Sequence, residues 1–305
     1  MTFRHEALLY DGREGFAAGT LQFLREGLDA AEPTMVAVGA ERMGILRDAL
    51  GADADRVRFV DMAELGRNPG RIIPAWRDFL AAHAGEGPVR GIGEPVWAGR
   101  SADELVECQL HESLLNLAFA DADDFRLVCP YDREALDEAV LHEACRSHPA
   151  VVDSGGRQVR SVYRGEDLLA PFDAPLPPPA AHAEILAYDR SSLPDVRDAV
   201  GARAAAAGLP DVRTEDLVLA VNEMAGNSIR HGGGHGVLRI WETDHTLVCE
   251  LRDRGRVRDP LVGRDRPSAE RLGGRGLYIA HQVCDLVQLR SDERGTVVRL
   301  HMQRG

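Results

Sequence analysis

A proline-rich segment divides this chain of 305 residues into two halves. It reads LLAPFDAPLPPPAAHAE over residues 168–184, with the core PLPPPA. Proline lacks a backbone N–H and fixes φ, so neither a helix nor a central strand crosses such a run. Proline-rich chain is extended and semi-rigid. We therefore predict two domains, 1–168 and 184–305, joined by a linker over 169–183.

Both halves alternate strand and helix patterns, which predicts the α/β class. In the first half the predicted strands PTMVAVG, VRFVDM, VRGIGEPVW and FRLVCPYD alternate with helices, which favours a mostly parallel sheet covered by helices. The second half predicts the strand AEILAYD, two helices, a hairpin turning near Thr243–His245, and a glycine loop that opens a helix before two last strands. Thr214 is the expected N-cap of the second helix.

The charges of the two halves differ. All 36 basic residues are arginine and the net charge is −13. Residues 1–181 hold 18 Arg and 31 acidic residues, a charge of 18 − 31 = −13, whereas residues 182–305 hold 18 of each. An acidic first half argues against direct nucleic-acid binding. Without lysine, any phosphate contact from a cationic side chain falls to arginine.

The sequence also predicts a cytoplasmic protein with no membrane partner. It contains no run of about 18 apolar residues, which a transmembrane helix requires. The N-terminus MTFRHEALLYDGREGF lacks a signal-peptide pattern. The five cysteines are odd in number and form no C-x-x-C pair, which fits reduced thiols better than disulfides or a zinc motif.

The stretch LAVNEMAGNSIRHGGG, residues 219–234, carries two polar side chains on a mostly apolar helix. Glu223 and Asn227 are four residues apart and therefore share a face. Each must find a partner if it is buried. The two alternatives are a pair of partly exposed polar residues and a site where a carboxylate and an amide face the same ligand.

Three further motifs follow in order: D-x-G at Asp253 and Gly255, GGRGL at residues 273–277, and Gly295–Thr296 before the last strand. Each is common by itself. The ordered set resembles the GHKL (Bergerat) ATP-binding domain of DNA gyrase, heat-shock chaperones, histidine kinases and mismatch-repair ATPases, over about residues 184–303. It is most similar to the short anti-sigma-factor serine kinases of Gram-positive bacteria, which carry NE…N…HG on the first helix.

That resemblance implies a two-layer α/β sandwich that binds ATP and Mg²⁺. Asn227 would hold the Mg²⁺ ion, Glu223 would be the catalytic general base, and Asp253 would accept a hydrogen bond from the adenine amino group. The other implied nucleotide-binding residues are Gly255, Gly273, Gly274, Arg275, Gly276, Leu277 and Thr296, of which Arg275 is the expected γ-phosphate contact. His231 and Gly232 complete the first motif. The sequence departs from the family at Val257, which replaces the second glycine of D-x-G-x-G. A β-branched residue resists positive φ. The connecting loop over residues 254–275, which the resemblance identifies as the lid of this family, is therefore expected to start differently or nucleotide to bind weakly.

The first half contains a loop with the glycine spacing of a phosphate loop. Gly39 and Gly44 are followed by Ile45 and Leu46 where lysine and a hydroxyl residue are required. An ordinary turn and a degenerate phosphate loop both remain open. The segments HEALLYDGREGF, FLREGLDAAEP, GIGEPVWAG, HESLLNLAF, LVCPYD and HP resemble the MEDS sensory domain of methanogens, methylotrophs and a dichloromethane-responsive regulator, over about residues 3–165. This implies a RecA-like three-layer fold that has lost catalysis and senses a small ligand.

The first half offers candidate ligand-binding residues. They are His5, Tyr10, Glu94, Trp97, Glu112 and Asn116. Glu94 follows a strand, at the edge where open α/β sheets bind ligands. His111 and Cys129 are either metal or haem ligands or ordinary core residues.

Taken together, the two resemblances imply a cytoplasmic anti-sigma regulator that binds Mg-ATP. It would sequester a sigma factor, and phosphorylation of a STAS-type anti-anti-sigma partner on serine would make it a protein kinase. The alternative is a partner-switching module that binds without phosphotransfer, so enzymatic activity stays open. A sensor histidine kinase is disfavoured because only His182 lies between the linker and the first-motif helix. A homodimer is an expectation from the resemblance.

Overall fold

The computed structural model describes residues 3–267 and 275–304 of the chain. The chain forms two compact units, which divide between Leu169 and Ala170. Each unit has its own sheet and its own helices. The linker bounds of 169–183 remain a prediction.

The first unit is a parallel α/β unit. Its strands are β1 (Arg4–Tyr10), β2 (Thr34–Val38), β3 (Val57–Asp61), β4 (Val89–Gly93), β5 (Phe125–Asp132) and β6 (Ala150–Asp153). Its helices are α1 (Gly12–Asp29), α2 (Ala40–Leu50), α3 (Met62–Leu65), α4 (Ile72–Ala82), α5 (Ala102–Ala118) and α6 (Glu138–Ser147). The strand order is β3-β2-β4-β5-β1-β6, and every pairing is parallel.

Helices cover both faces of this parallel sheet. On one face, Ile92 of β4 belongs to a core that includes residues of α1 and α2. On the other face, the Trp76 ring of α4 lies against Gly91 and Gly93 of the same strand. Alternate residues of a strand point to opposite faces. Two-sided cover explains why every residue of β2 and β4 is buried, and it confirms the expected three-layer class.

The second unit is an antiparallel sheet with helices on one face. Its elements are β7 (Glu184–Asp189), α7 (Leu193–Ala206), α8 (Asp211–His231), β8 (His235–Glu242), β9 (Thr246–Asp253), α9 (Arg275–Val283), β10 (Leu286–Asp292) and β11 (Gly295–Gln303). The strand order is β10-β11-β9-β8-β7. One apolar core joins Leu238, Leu251 and Leu300 of the sheet to residues of all three helices, including Val200 and Val221. This confirms the two-layer sandwich.

The other face of this sheet carries a charged network. Glu250 of β9 binds Arg239 of β8 at 3.0 Å and Arg299 of β11 at 2.8 Å. The Arg299 guanidinium also lies over the Trp241 ring, 5.2 Å from its centroid, and donates to the Pro177 carbonyl. The proline-rich segment therefore contacts the outer face of the second sheet.

The structure confirms the strand–helix alternation and the hairpin turn, and it corrects the first turn of one helix. The N-cap predicted at Thr214 is wrong, because α8 begins at Asp211, directly after Pro210. The Thr214 N–H instead donates to the Pro210 carbonyl at 2.9 Å, inside the helix. No helix among the described residues is long and apolar enough to span a membrane.

Candidate functional site

A pocket of about 380 Å³ lies in the second unit, beside α8 and the ends of β9 and β11. Its size falls within the range of small-molecule sites. Residues of α8, β9, β10, β11, the start of α9 and the segment after β9 line it: Met224, Asn227, Ser228, His231, Gly232, Leu251, Asp253, Gly255, Arg256, Val257, Arg258, Asp259, Val262, Leu277, Leu289, Thr296 and Val298. The pocket brings together residues of all four motifs, the third of which contributes Leu277.

Asp253 is held in place at one end of this pocket. Its Oδ1 accepts from the Gly255 N–H at 2.7 Å, and its Oδ2 accepts from the Ser228 hydroxyl at 2.6 Å. The Tyr188 hydroxyl donates to the Ser228 oxygen at 2.9 Å. Burial raises the pKa of Tyr188 to about 12, against the lowering effect of its bond to Ser228. Each carboxylate oxygen has two lone pairs, so Asp253 retains acceptor capacity for a ligand.

Three glycines allow the backbone to pass close to Asp253. A Cβ on Gly232 would lie 2.4 Å from the Asp253 Cγ, and one on Gly255 would lie 2.8 Å from the His231 carbonyl oxygen. Gly295 has a φ of +125°, and a Cβ there would lie 2.0 Å from the Asp253 carbonyl oxygen. Contacts this short exclude any side chain at these positions. The glycines of three motifs therefore make room for the backbone and the side chain of one residue, Asp253.

Thr296 ties the segment after β9 to the sheet. Its hydroxyl donates to the Gly255 carbonyl at 2.9 Å and lies 2.9 Å from the Ser291 hydroxyl. Ser291 in turn accepts from the Val257 N–H at 2.9 Å. Val257 is not among the described residues with positive φ, so its branched side chain is accommodated without backbone strain. The segment thus leaves β9 by a path that does not need the second glycine.

Glu223 and Asn227 lie against the first turn of α9. A Cβ on Gly276 would lie 2.9 Å from the Glu223 Oε2 and 3.2 Å from the Asn227 Nδ2. Asn227 lines the pocket, and its Oδ1 accepts from Arg230 at 2.8 Å. Glu223 is half-buried, and its carboxylate makes no hydrogen bond to any residue that the structure describes. The predicted shared face of these two side chains is therefore directed at a helix N-terminus, where anions bind favourably.

Gly273, Gly274 and Arg275 are predicted nucleotide contacts from the glycine loop. Gly273 and Gly274 lie outside the described residues. Arg275 is the first residue of α9. The arginines among the described residues that line the pocket are Arg256 and Arg258. The proposed γ-phosphate contact of Arg275 stays a prediction.

In the first unit, an ion network occupies the carboxyl ends of the strands. Arg42 lies in the first turn of α2, in the segment with phosphate-loop spacing, and binds Glu94 at 2.8 Å and Asp132 at 3.3 Å. The Tyr10 hydroxyl donates to Glu94 at 3.4 Å. Burial raises the pKa of Glu94 to about 7, although Arg42 opposes this shift. Burial, followed by the charge of Glu94, raises the pKa of Tyr10. The segment therefore directs a cation towards two acids, and it lacks the lysine and the hydroxyl residue by which a phosphate loop binds phosphate and Mg²⁺.

A second polar cluster lies in the interior of the first unit. His5 Nε2 lies 3.1 Å from the Glu112 Oε2 and 3.4 Å from the Cys129 Sγ, and His148 Nε2 lies 3.2 Å from the same Glu112 oxygen. Burial lowers the pKa of His5, with His148 adding to the effect. Burial raises the pKa of the Cys129 thiol. Burial also acts to raise the pKa of Glu112, but the contacts with His148 and His5 outweigh it, so that pKa is lowered. The Asn116 amide completes the cluster through His5 Nδ1 at 3.1 Å.

The predicted ligand residues of the first unit thus fall into separate groups. Tyr10 and Glu94 belong to the ion network, whereas His5, Glu112 and Asn116 belong to the buried cluster. The Trp97 ring stacks with the Arg100 guanidinium, 3.6 Å from its centroid. His111 is buried but is not one of the four clustered side chains that present metal-ligating atoms, which are His5, Glu112, Cys129 and His148.

Comparison with known families accounts for both units. The model of the MEDS domain, the methanogen/methylotroph and DcmR sensory domain, matches residues 4–149. The model of the histidine kinase-like ATPase domain matches residues 186–302. The chain joins a MEDS domain to a histidine kinase-like ATPase domain. A comparison with curated proteins found no match.

Among solved structures, the chain is similar to the RsbU and RsbW domains of Rv1364c from Mycobacterium tuberculosis. The identity is 19%, the alignment covers 40% of this chain and 33% of that chain, and the TM-score is 0.30. The chain therefore matches about a third of that protein's length.

The residues of the ATPase domain fit a magnesium nucleotide. Asp253 has acceptor capacity at one end of the pocket. The Glu223 carboxylate and the Asn227 amide lie against the first turn of α9, and carboxylate and amide oxygens are ligands that Mg²⁺ takes. No sequence motif pointed to Ser228 and Tyr188, which orient Asp253. Ser228 directly follows Asn227 in the first motif, which is the one local clue to its role. Its partners Asp253 and Tyr188 lie 25 and 40 residues away along the chain.

Proposed function

We propose that this chain is a cytoplasmic anti-sigma regulator whose ATPase domain binds Mg-ATP and phosphorylates a serine of a STAS-type anti-anti-sigma partner. The proposal rests on which residues lie at the two ends of the pocket. It runs from Asp253 to Asn227, and Glu223 lies beside Asn227 against the first turn of α9. A ligand with a base at one end and phosphates at the other fits this arrangement.

The Asp253 end of the pocket is suited to adenine. A fixed carboxylate can accept from an exocyclic amino group, and the apolar side chains of Met224, Leu251 and Val298 line the same pocket. Ser228 and the Gly255 N–H hold the carboxylate in one orientation. Such preorganisation reduces the cost of ordering the site when ligand binds.

The α9 end of the pocket is suited to phosphates and Mg²⁺. Asn227 would hold the ion, and the first turn of α9 offers N–H groups to phosphate oxygens. When bound, ATP supplies the phosphoryl group. Glu223 would take the proton of the partner's serine hydroxyl, which makes it the general base. Its carboxylate has no competing hydrogen bond among the described residues, which leaves it available for this role.

The regulatory consequence follows from the charge of phosphate. A phosphoserine adds about two negative charges at neutral pH, so a partner that binds through this serine would be released by charge and desolvation. The sigma factor would then remain sequestered by this chain. The MEDS domain would supply the sensory input through a small ligand.

The decisive experiment is intact-mass measurement of STAS-domain proteins from the same genome after incubation with the full chain and Mg-ATP. We expect one added phosphate on one of these partners. Glu223→Gln should abolish the added mass while ATP binding is retained. Glu215→Gln is the matched control, because Glu215 is an exposed acid on the same helix. An unchanged mass, with a folded chain that binds ATP, would contradict the kinase assignment.

One observation favours a second candidate, a partner-switching module without phosphotransfer. The Asn227 Oδ1 that would hold Mg²⁺ accepts from the exposed Arg230 at 2.8 Å. If Arg230 keeps this oxygen, the domain would bind partners and not transfer phosphate. Tight complexes with sigma and STAS-type proteins, and no phosphoserine under any nucleotide condition, would support this candidate.

A further inference from the structure

The buried cluster of the MEDS domain joins four parts of its fold. His5 lies on β1, Glu112 on α5, Cys129 on β5, and His148 just before β6. Their exposed fractions are 2%, 0%, 1% and 0%. Four titratable side chains at this depth need an explanation, because buried polar groups are costly unless each finds a partner.

The outer nitrogens of both imidazoles are used as donors. His148 Nδ1 lies 2.8 Å from the Ala144 carbonyl oxygen, which can only accept, so this nitrogen carries a hydrogen. His5 Nδ1 faces the Asn116 Oδ1 at 3.1 Å, and the orientation of that amide is fixed because its Nδ2 donates to the Ser147 carbonyl at 2.8 Å. Both rings are therefore neutral with a lone pair on Nε2, or doubly protonated.

In the neutral form, both Nε2 lone pairs point at a carboxylate. They lie 3.1 and 3.2 Å from the same Glu112 oxygen. The Cys129 thiol offers one hydrogen to this group, and His5 lies 3.4 Å from its sulfur. The second Glu112 oxygen is buried with no hydrogen bond in the part of the chain that the structure describes. The two Nε2 atoms and the Glu112 carboxylate thus present more lone pairs than the single thiol hydrogen can satisfy. A cation is needed between them.

Protons are a poor source of that cation. A single proton would satisfy one Nε2 and leave the lone pair of the other facing the Glu112 carboxylate. Two imidazolium rings, with centroids 4.0 Å apart, would place two buried positive charges beside one carboxylate. A single divalent ion removes this repulsion. The four donor atoms lie within 4.8 Å of one another. Zinc bonds of about 2.0–2.3 Å place tetrahedral donors about 3.5 Å apart. The His5–Glu112, His148–Glu112 and His5–Cys129 donor atoms lie 3.1, 3.2 and 3.4 Å apart, close to that spacing.

We propose that His5, Glu112, Cys129 and His148 bind one divalent transition-metal ion of the zinc class in the MEDS domain. A set of two imidazoles, a thiolate and a carboxylate selects zinc-like ions over Mg²⁺ and Ca²⁺. Asn116 and Ala144 hold the outer nitrogens of the two rings, which is the usual support of metal-bound histidine. All four ligands are buried, so the site is closed and its role is to hold β1, α5, β5 and the start of β6 together.

The test uses the full chain and two metals. The chain is expressed with zinc, and its metal content is measured after desalting; we expect one zinc ion per chain. After the zinc is removed with a strong chelator, Co²⁺ is added. A tetrahedral site with one cysteine should give intense visible d–d bands and a near-ultraviolet thiolate-to-cobalt band.

Two variants locate the metal. Cys129→Ala should lose the thiolate-to-cobalt band. Cys108→Ala is the matched control and should keep it, because Cys108 is an equally buried thiol outside the four ligands. A thiolate band that survives in Cys129→Ala would overturn the assignment. So would a wild-type chain that is folded by circular dichroism yet carries no zinc and gives no cobalt spectrum. That wild-type measurement decides the matter even where a variant fails to fold.

Discussion

Asp253 is the residue at which the candidate nucleotide site can be tested most directly. Its two carboxylate oxygens accept from Ser228 and from the Gly255 N–H, so an amide in its place would lose an acceptor and direct a donor at the base. We expect Asp253→Asn to weaken ADP binding about 10- to 100-fold, in line with about 1–3 kcal/mol for a mispaired buried polar group. Isothermal titration calorimetry measures this change.

The control for Asp253→Asn is Asp292→Asn. Asp292 makes the same local bond, accepting from the Arg294 N–H at 2.7 Å, but it lies outside the pocket that contains Asp253. Its substitution should leave the affinity for ADP unchanged. Equal losses in the two variants would show that Asp253 acts through the fold and not through the ligand.

Glu94 gives the first unit a dependence on pH. Burial raises the pKa of Glu94 to about 7, while Arg42, Tyr10 and Asp132 face its carboxyl group. The folded state then holds more protons than the unfolded state between its ordinary pKa of 4.5 and 7, so stability falls as pH rises through this window. At 1.36 kcal/mol per pKa unit, the full effect is on the order of 3 kcal/mol.

Urea unfolding between pH 5 and 8 measures this dependence. Trp76 and Trp97 lie in the first unit, so a Trp241→Phe background makes their fluorescence report on that unit. Glu94→Gln should flatten the decline of the free energy of unfolding with pH. Glu41→Gln, an exposed acid on the helix of Arg42, should keep the wild-type decline. The difference in the free energy of unfolding between wild type and Glu94→Gln isolates this group from His5, whose lowered pKa acts in the opposite direction. A difference that does not change with pH would contradict the prediction.

At the scale of elements, sequence patterns predicted the helices, strands and turns whose formation depends on residues close together in the chain. The alternation of strands and helices, the β8–β9 turn and the glycine-led start of α9 all follow from local periodicity and turn residues. Local patterns did not identify β1, α1, α3 or β6. Strand β1 is buried between β5 and β6, and its apolar run ALLY carries no period that separates a strand from a helix.

The side-chain groupings were less predictable than the elements. Glu223 and Asn227 could be paired from helical spacing alone, and their common direction holds in the structure. The link from Tyr188 through Ser228 to Asp253, and the assembly of His148 with His5, need strand order and register. Such contacts join residues 25 to 143 positions apart, and no local pattern encodes them.

The outer face of the second sheet supplies a prediction about strand association. Glu250 is 3% exposed and binds arginines from both neighbouring strands, so its removal leaves two cations facing each other. We expect Glu250→Gln to lower the free energy of unfolding by about 3 kcal/mol, as for other buried pairs that lose one partner. Urea unfolding followed by Trp241 fluorescence measures the change.

Glu242→Gln is the control for Glu250→Gln. Glu242 also binds two arginines, Arg203 and Arg304, each at 3.0 Å, but its side chain is 28% exposed. Surface ion pairs of this kind contribute less than about 1 kcal/mol. A loss at Glu242 that equals the loss at Glu250 would mean that burial does not control the strength of this network.

At the scale of the whole molecule, the separate cores of the two units predict which unit Mg-ATP stabilises. The core of the ATPase domain lies entirely within residues 188–302, and the core that includes Tyr10 and Ile92 lies entirely within the first unit. A ligand stabilises the cooperative unit that binds it. Mg-ATP at 100 times its dissociation constant should therefore add about 2.7 kcal/mol to the ATPase domain.

Thermal unfolding of the full chain tests this division. Saturating Mg-ATP should raise the midpoint reported by Trp241, and the midpoint reported by Trp76 and Trp97 in the Trp241→Phe background should stay where it was. Asp253→Asn should reduce the stabilisation at equal ATP concentration from about 2.7 to about 0.4–1.4 kcal/mol, because it weakens the site and not the core. Equal shifts at both reporters would mean that the two units unfold as one, and nucleotide binding would then act directly on the stability of the sensory domain.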